Sequence, residues 1–110
     1  MSCATGGAAR VSFTPRDPQQ YPAKDPACEI EVMDTAPNRP FADLGTVNYH
    51  DERHRMSDGE LTLETAMPEI KKLACLNGAD AIMNVRVTEE RRLEFAMFHV
   101  SARAIRYLQP

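Results

Sequence analysis

The sequence predicts an α+β domain: a single helix packed on a mostly antiparallel four-stranded sheet, in the order β-β-α-β-β. Three observations predict it. Residues Cys28 to Met33 alternate apolar and polar, the period-two signature of a half-buried strand. Leu63, Ala66, Met67, Ile70, Leu73 and Ala74 recur at i, i+3, i+4 and i+7, the stripe of an amphipathic helix. Ala96, Phe98, Val100, Ala102 and Ala104 alternate again near the C-terminus.

Residues 1–27 contain Gly6, Gly7, Pro15, Pro18, Pro22 and Pro26 and show no periodicity. Each proline fixes φ and removes a backbone donor, so this stretch reads as an extended leader or tether, with Val11 to Phe13 its one segment pinned to the domain. The domain itself then spans 28–110. In its first strand Cys28, Ile30 and Val32 face one way, and Glu29 and Glu31 the other. Pro37 and Pro40 break that strand into a loop. An extended pattern resumes through Leu44, Val47 and Tyr49, and Gly45 inside it marks a bulge or a close backbone approach.

For the helix, Thr62 or Thr65 supplies the N-cap. Pro68 is tolerated only near the first turn, which sets the regular start close to Thr65. Gly78 after Asn77 is a left-handed stop. Ala79 and Ala81 allow the next strand to pass close, and Asp80 is placed to accept from local backbone donors. Ile82 to Val87 is the third strand, "TEERR" the turn, and Leu93 to Leu108 the fourth. Ile105 and Tyr107 fall in the opposite phase to Ala104, so a bulge is expected near Arg103.

A net charge of −3 offers no basic field for nucleic acid. No apolar run approaches the roughly 20 residues needed to span a bilayer. Tryptophan is absent and aromatics make up 6%, so the core must be aliphatic and methionine-rich.

The segments "PNRPFADLGTV" and "AMPEIKKLACLNGADAIMNV" carry a resemblance. A Pro-x-Arg-Pro-aromatic loop leads into a Leu-Gly-x-Val strand, and the helix ends in Gly-Ala-Asp-Ala. This resembles the small bacterial envelope lipoproteins of the RcsF-like and YbjQ-like group, over about residues 28–108. The resemblance implies a single helix on a sheet, and either lipid-anchored sensing through protein contacts or heavy-metal binding with ring assembly. The four cysteines of RcsF-like sensors have no counterparts here, since Ile82 to Leu108 contains none. No metal-ligand set carries over residue by residue.

Cys3 follows a small residue, as the lipidated cysteine of a cleaved lipobox does, and the Pro/Gly-rich leader suits a membrane tether. If Met1 is the native start, Cys3 is an ordinary thiol and the compartment is cytoplasmic. Cys28 opens a strand, and Cys75 lies on the helix turned away from the Ile70 stripe. An exposed thiol is unfavourable in an oxidising compartment, so a Cys28–Cys75 disulfide and two separate small hydrophobes both remain open.

The stretch "NYHDERHRM" places His50 and His54 four apart with Asp51 and Glu52 between them. Zincin helices need glutamate directly after the first histidine, and here Asp51 stands there. On a strand, residues four apart lie about 13 Å apart, too far to share an ion. A turn after Tyr49 would be needed to bring His50 and His54 onto one divalent metal, with Asp51, Glu52 or Asp58 adding oxygen; a third nitrogen or sulfur ligand is not evident unless His99, read as a partly buried strand histidine, comes across the sheet. Ser57 and Ser101 lack any nucleophile-elbow context, so no catalytic residue is assigned. Arg39 between two prolines, Phe41, and the charged run Glu89, Glu90, Arg91 and Arg92 are the candidate contact residues, set against a structural loop and a solvated turn.

The expectation is a non-enzymatic cell-envelope domain on the periplasmic face of a membrane, held by a lipid on Cys3, without cofactor, meeting an envelope protein partner. Two alternatives accompany it: a metal-binding module at His50 and His54, and a ring-forming cytosolic homo-oligomer.

Overall fold

A computed structural model of the protein describes residues 10–16, 21–54, 62–91 and 95–108. The elements run β1 (Arg10–Pro15), β2 (Glu31–Met33), β3 (Phe41–His54), α1 (Leu63–Leu76), β4 (Ala81–Arg91) and β5 (Phe95–Tyr107). They form one five-stranded sheet in the order β1-β3-β5-β4-β2. The pairs β1–β3, β3–β5 and β5–β4 are antiparallel, and β4–β2 is parallel.

The class is α+β, but the four-stranded β-β-α-β-β arrangement is corrected to five strands in a mixed sheet, ordered β-β-β-α-β-β. The extra strand comes from the stretch expected as a tether. Val11 and Phe13 point inward opposite Tyr49 and Val47 and pack against the core. Two inward side chains are too few for periodicity to register, and Pro15 is tolerable because β1 is an edge strand. At the other edge, the expected strand from Cys28 shortens to three residues. Ile30 is buried as expected, but Val32 is 45% exposed.

The inner face of the sheet packs on α1. Ala66, Ile70, Ala74 and Cys75 of the helix meet Val47, Tyr49, Ile82, Phe98, Val100, Ala102 and Ala104. Ile70, Ile82, Val47 and Val100 are fully buried, and each such side chain contributes about 1.5–3 kcal/mol. The helix begins at Leu63, earlier than Pro68 suggested. Thr62 and Thr65 cap one another's backbone in a reciprocal box. Pro68 withholds its N–H only from the exposed first turn, which limits the cost. At the far end Gly78 adopts φ +84°. Its N–H donates to the Cys75 carbonyl and that of Ala79 to the Ala74 carbonyl, the paired bonds of a Schellman stop.

Cys75 does not face outward, as the helical spacing suggested; it is buried. The segment from Tyr21 to Cys28 crosses that flank of the helix. The Lys24 N–H donates to the Cys75 carbonyl at 2.9 Å, and Cys28 and Cys75 form a disulfide.

The bulge expected in β5 near Arg103 lies instead on both its neighbours. Pairing slips between Asp43 and Gly45 in β3 and between Met83 and Arg86 in β4, where Asn84 takes φ +55°. β5 keeps its alternation because Ile105 has its own apolar partners. With Ala81 and Met83 it forms a second cluster on the outer face, flanked by Met33, Phe41 and Tyr107. β4 also extends through Glu89, Glu90 and Arg91, which were expected in the turn.

Candidate functional site

The helix covers one face of the sheet only. On the other, β3 and β5 pair so that His50 stands directly opposite His99. The alternation that sends Tyr49, Phe98 and Val100 inward sends these two histidines outward. Their ring centroids are 6.1 Å apart with planes tilted 57°. His50 Nε2 lies 3.1 Å from Glu52 Oε2. Thr88 and Glu90 from β4 and Met97 from β5 complete a shallow pocket of about 210 Å³ around the pair.

Chemically this is a small cluster of two imidazoles, a thioether and carboxylates. Imidazole nitrogens bind zinc-like ions at about 2.0–2.1 Å, so two ring centroids sharing one ion stand at most roughly 6.4 Å apart. That limit is for nitrogens trans on the ion; at a tetrahedral angle the centroids stand about 5.2 Å apart, so at 6.1 Å the two rings must close in to share such an ion.

The expected set is otherwise dispersed. β3 runs without a turn through Tyr49 to His54, which pairs with Phe95. The backbone therefore keeps residues 50 and 54 about 13 Å apart along the strand. The His54 side chain lies outside the described residues. Asp51 points to the opposite face, where it is fully buried and accepts a hydrogen bond from the Tyr49 hydroxyl at 3.2 Å. Among the described residues, no three His, Cys, Asp or Glu side chains group as a metal site.

Cys3 and Arg92 lie outside the described residues. Glu89 and Arg91 form an exposed ion pair at 3.1 Å. The Arg39 guanidinium stacks over the Tyr107 ring at 4.0 Å, and Phe41 sits opposite Tyr107 in the sheet, packed on the outer cluster. The Tyr107 hydroxyl donates to Glu31 at 2.7 Å. That bond, with burial and the Glu31 charge, raises the Tyr107 pKa.

Asp80 joins three parts of the chain. It accepts from the Tyr107 backbone N–H at 2.8 Å and pairs with Lys24. Its donors are distant in sequence, not local as the Gly-Ala-Asp-Ala pattern suggested. Burial pushes its pKa up, but the Lys24 and Tyr107 hydrogen bonds and the charges of Lys24 and Arg106 outweigh this and hold it below the usual carboxylate value. No periodic signal marks Asp80 or Lys24, because both act through contacts that exist only after folding.

The chain matches no protein-family model, and no curated protein matches it. Among solved structures, the crystal structure of a Francisella virulence factor, FvfA, in its orthorhombic form is similar. The TM-score is 0.60 and the identity 17%, over 86% of this chain and 97% of that one. At that identity the likeness is one of fold.

Proposed function

We propose that this chain is a non-catalytic domain of the bacterial cell envelope, tethered through a lipid on Cys3 and working by protein–protein contact. The observation that carries this reading is the Cys28–Cys75 disulfide, since such bridges persist in oxidising compartments and are rare in the cytosol. The part of the outer face that α1 leaves uncovered supports the contact role. Ser12 and Thr14 of β1, Thr46 and Asn48 of β3, and His99 and Ser101 of β5 form a polar surface with no helix over it among the described residues. The resemblance to envelope lipoproteins points the same way.

The test is made in bacteria producing the lipoprotein precursor, with a photo-crosslinker at Asn48 or Ser101 and, as control, at Lys72 on the helix. Acid-quenched alkylation reports the thiols in the same cells. The expected result is an oxidised Cys28–Cys75 pair and a discrete adduct with an envelope protein from the sheet positions only. Two free thiols, or no sheet-specific adduct, would sink the reading.

A second reading is favoured by one observation, the placement of His99 opposite His50. It is a divalent transition-metal site on the sheet face, in place of the His50–His54 pair, for which copper(II) is the best match by affinity order. Isothermal titration with copper(II), nickel(II) and zinc(II) decides it, and binding weaker than about 100 μM would end it.

A further inference from the structure

β4 has an open edge. β2 pairs with it only at Ala81, Ile82 and Met83. Among the described residues, no strand pairs with the far side of Asn84 to Arg91, and of these eight only Val85 is not exposed. Eight residues is a full strand length for pairing.

Open edges commonly carry charges that discourage arbitrary strands, and Arg86, Glu89, Glu90 and Arg91 do so here. Their spacing has a second consequence. Two copies pairing antiparallel about a two-fold axis normal to the sheet keep each face on its own side. Facing residues then share a face, and the axis passes through one residue.

The registers differ sharply. An axis at Glu89 sets Glu89 against Glu89. An axis at Val87 sets Arg86 against Thr88 and Val85 against Glu89, with no ion pair. An axis at Thr88 sets Thr88 against Thr88 and Arg86 against Glu90 twice. Arg86, Thr88 and Glu90 all lie on the outer face, opposite Ser101, His99 and Met97. Opposite charges and paired threonines across strands are both favourable cross-strand contacts. The other sheet edge, β1, presents Arg10 and no carboxylate, so its self-pairing gains no ion pair.

We propose that two copies of this chain associate through β4, antiparallel about Thr88, with Arg86 of each facing Glu90 of the other. The result is a closed dimer with one continuous ten-stranded sheet. This differs from a ring, because the same patch serves both partners. The inference stands apart from the envelope reading, since the purified chain self-associates whether or not a partner exists. A contact of one strand edge is small, so the dissociation constant is expected on the order of micromolar.

Sedimentation velocity of the whole oxidised chain, from about 1 to 300 μM, tests it. The expected result is a monomer–dimer equilibrium that weakens with salt. Arg86→Glu and Glu90→Arg each place like charges face to face and raise the dissociation constant at least about tenfold. The double exchange restores it to within about threefold, an outcome that loss of fold or unspecific adhesion does not produce. Thr88→Cys, in a Cys3→Ser background, gives an intermolecular disulfide on mild oxidation, whereas Val85→Cys does not. A monomer throughout, or a dimer indifferent to the single reversals, overturns the proposal.

Discussion

Gly45 of β3 lies directly against the backbone of Pro15 in β1. A Cβ at position 45 would stand 2.8 Å from the Pro15 Cα and 2.9 Å from the Phe13 ring, and would also meet the Thr14 carbonyl oxygen. Its φ of +148° is strained for any residue with a side chain. Gly45→Ala is therefore expected to cost at least about 2 kcal/mol and to loosen β1. Urea unfolding gives the cost, and hydrogen exchange at Val11 and Phe13 reports the strand. Wild-type protection there would contradict the contact.

The Cys28–Cys75 bridge closes a sequence separation of 47 residues. Chain-entropy arguments assign such a loop about 4 kcal/mol. Reduction, or Cys28→Ser with Cys75→Ser, is expected to lower the melting temperature by roughly 15 °C or more. Calorimetry with and without reductant checks it, and a shift of only a few degrees would show that the Tyr21–Cys28 segment holds without the bridge.

Asp80 makes stability depend on pH. Its folded pKa lies below its unfolded one, so its contribution is complete above the unfolded value of about 3.9. It is lost as pH falls through the lower, folded pKa. Asp80→Asn removes this dependence and is expected to cost about 1–3 kcal/mol at neutral pH. Denaturation midpoints from pH 7 to pH 2 should show a flatter acid limb for the variant. Parallel curves would rule out the linkage.

If the sheet-face histidines hold a metal, His50→Ala and His99→Ala should each weaken copper(II) binding at least about tenfold. His54→Ala should not, because the strand keeps it about 13 Å from position 50. Equal losses from all three variants would place the ion elsewhere.

The helix and its ends were legible because their causes are local. The stripe through Ala66, Ile70 and Ala74, the Thr62–Thr65 cap and Gly78 act within a few positions of one another. The alternation of β5 was equally plain, yet its meaning was misread: Ile105 breaks phase because the sheet has a second apolar patch, not because the strand bulges. β1 was only hinted at by Val11 and Phe13. Its place at an edge, opposite a glycine, depends on pairing with residues thirty or more positions away.

The sequence alone determined the α+β class, the helix with its caps, the aliphatic core and the special position of Gly45. Tertiary structure decided the five-strand order, the burial of Cys75 beside Cys28, the salt-bridged Asp80 and the exchange of His54 for His99 as the neighbour of His50. The division follows from range. Periodicity and capping are properties of consecutive residues, whereas strand register couples side chains far apart in the chain. A histidine on β3 meets whichever residue the sheet brings opposite it, and no spacing within "NYHDERHRM" could name that residue.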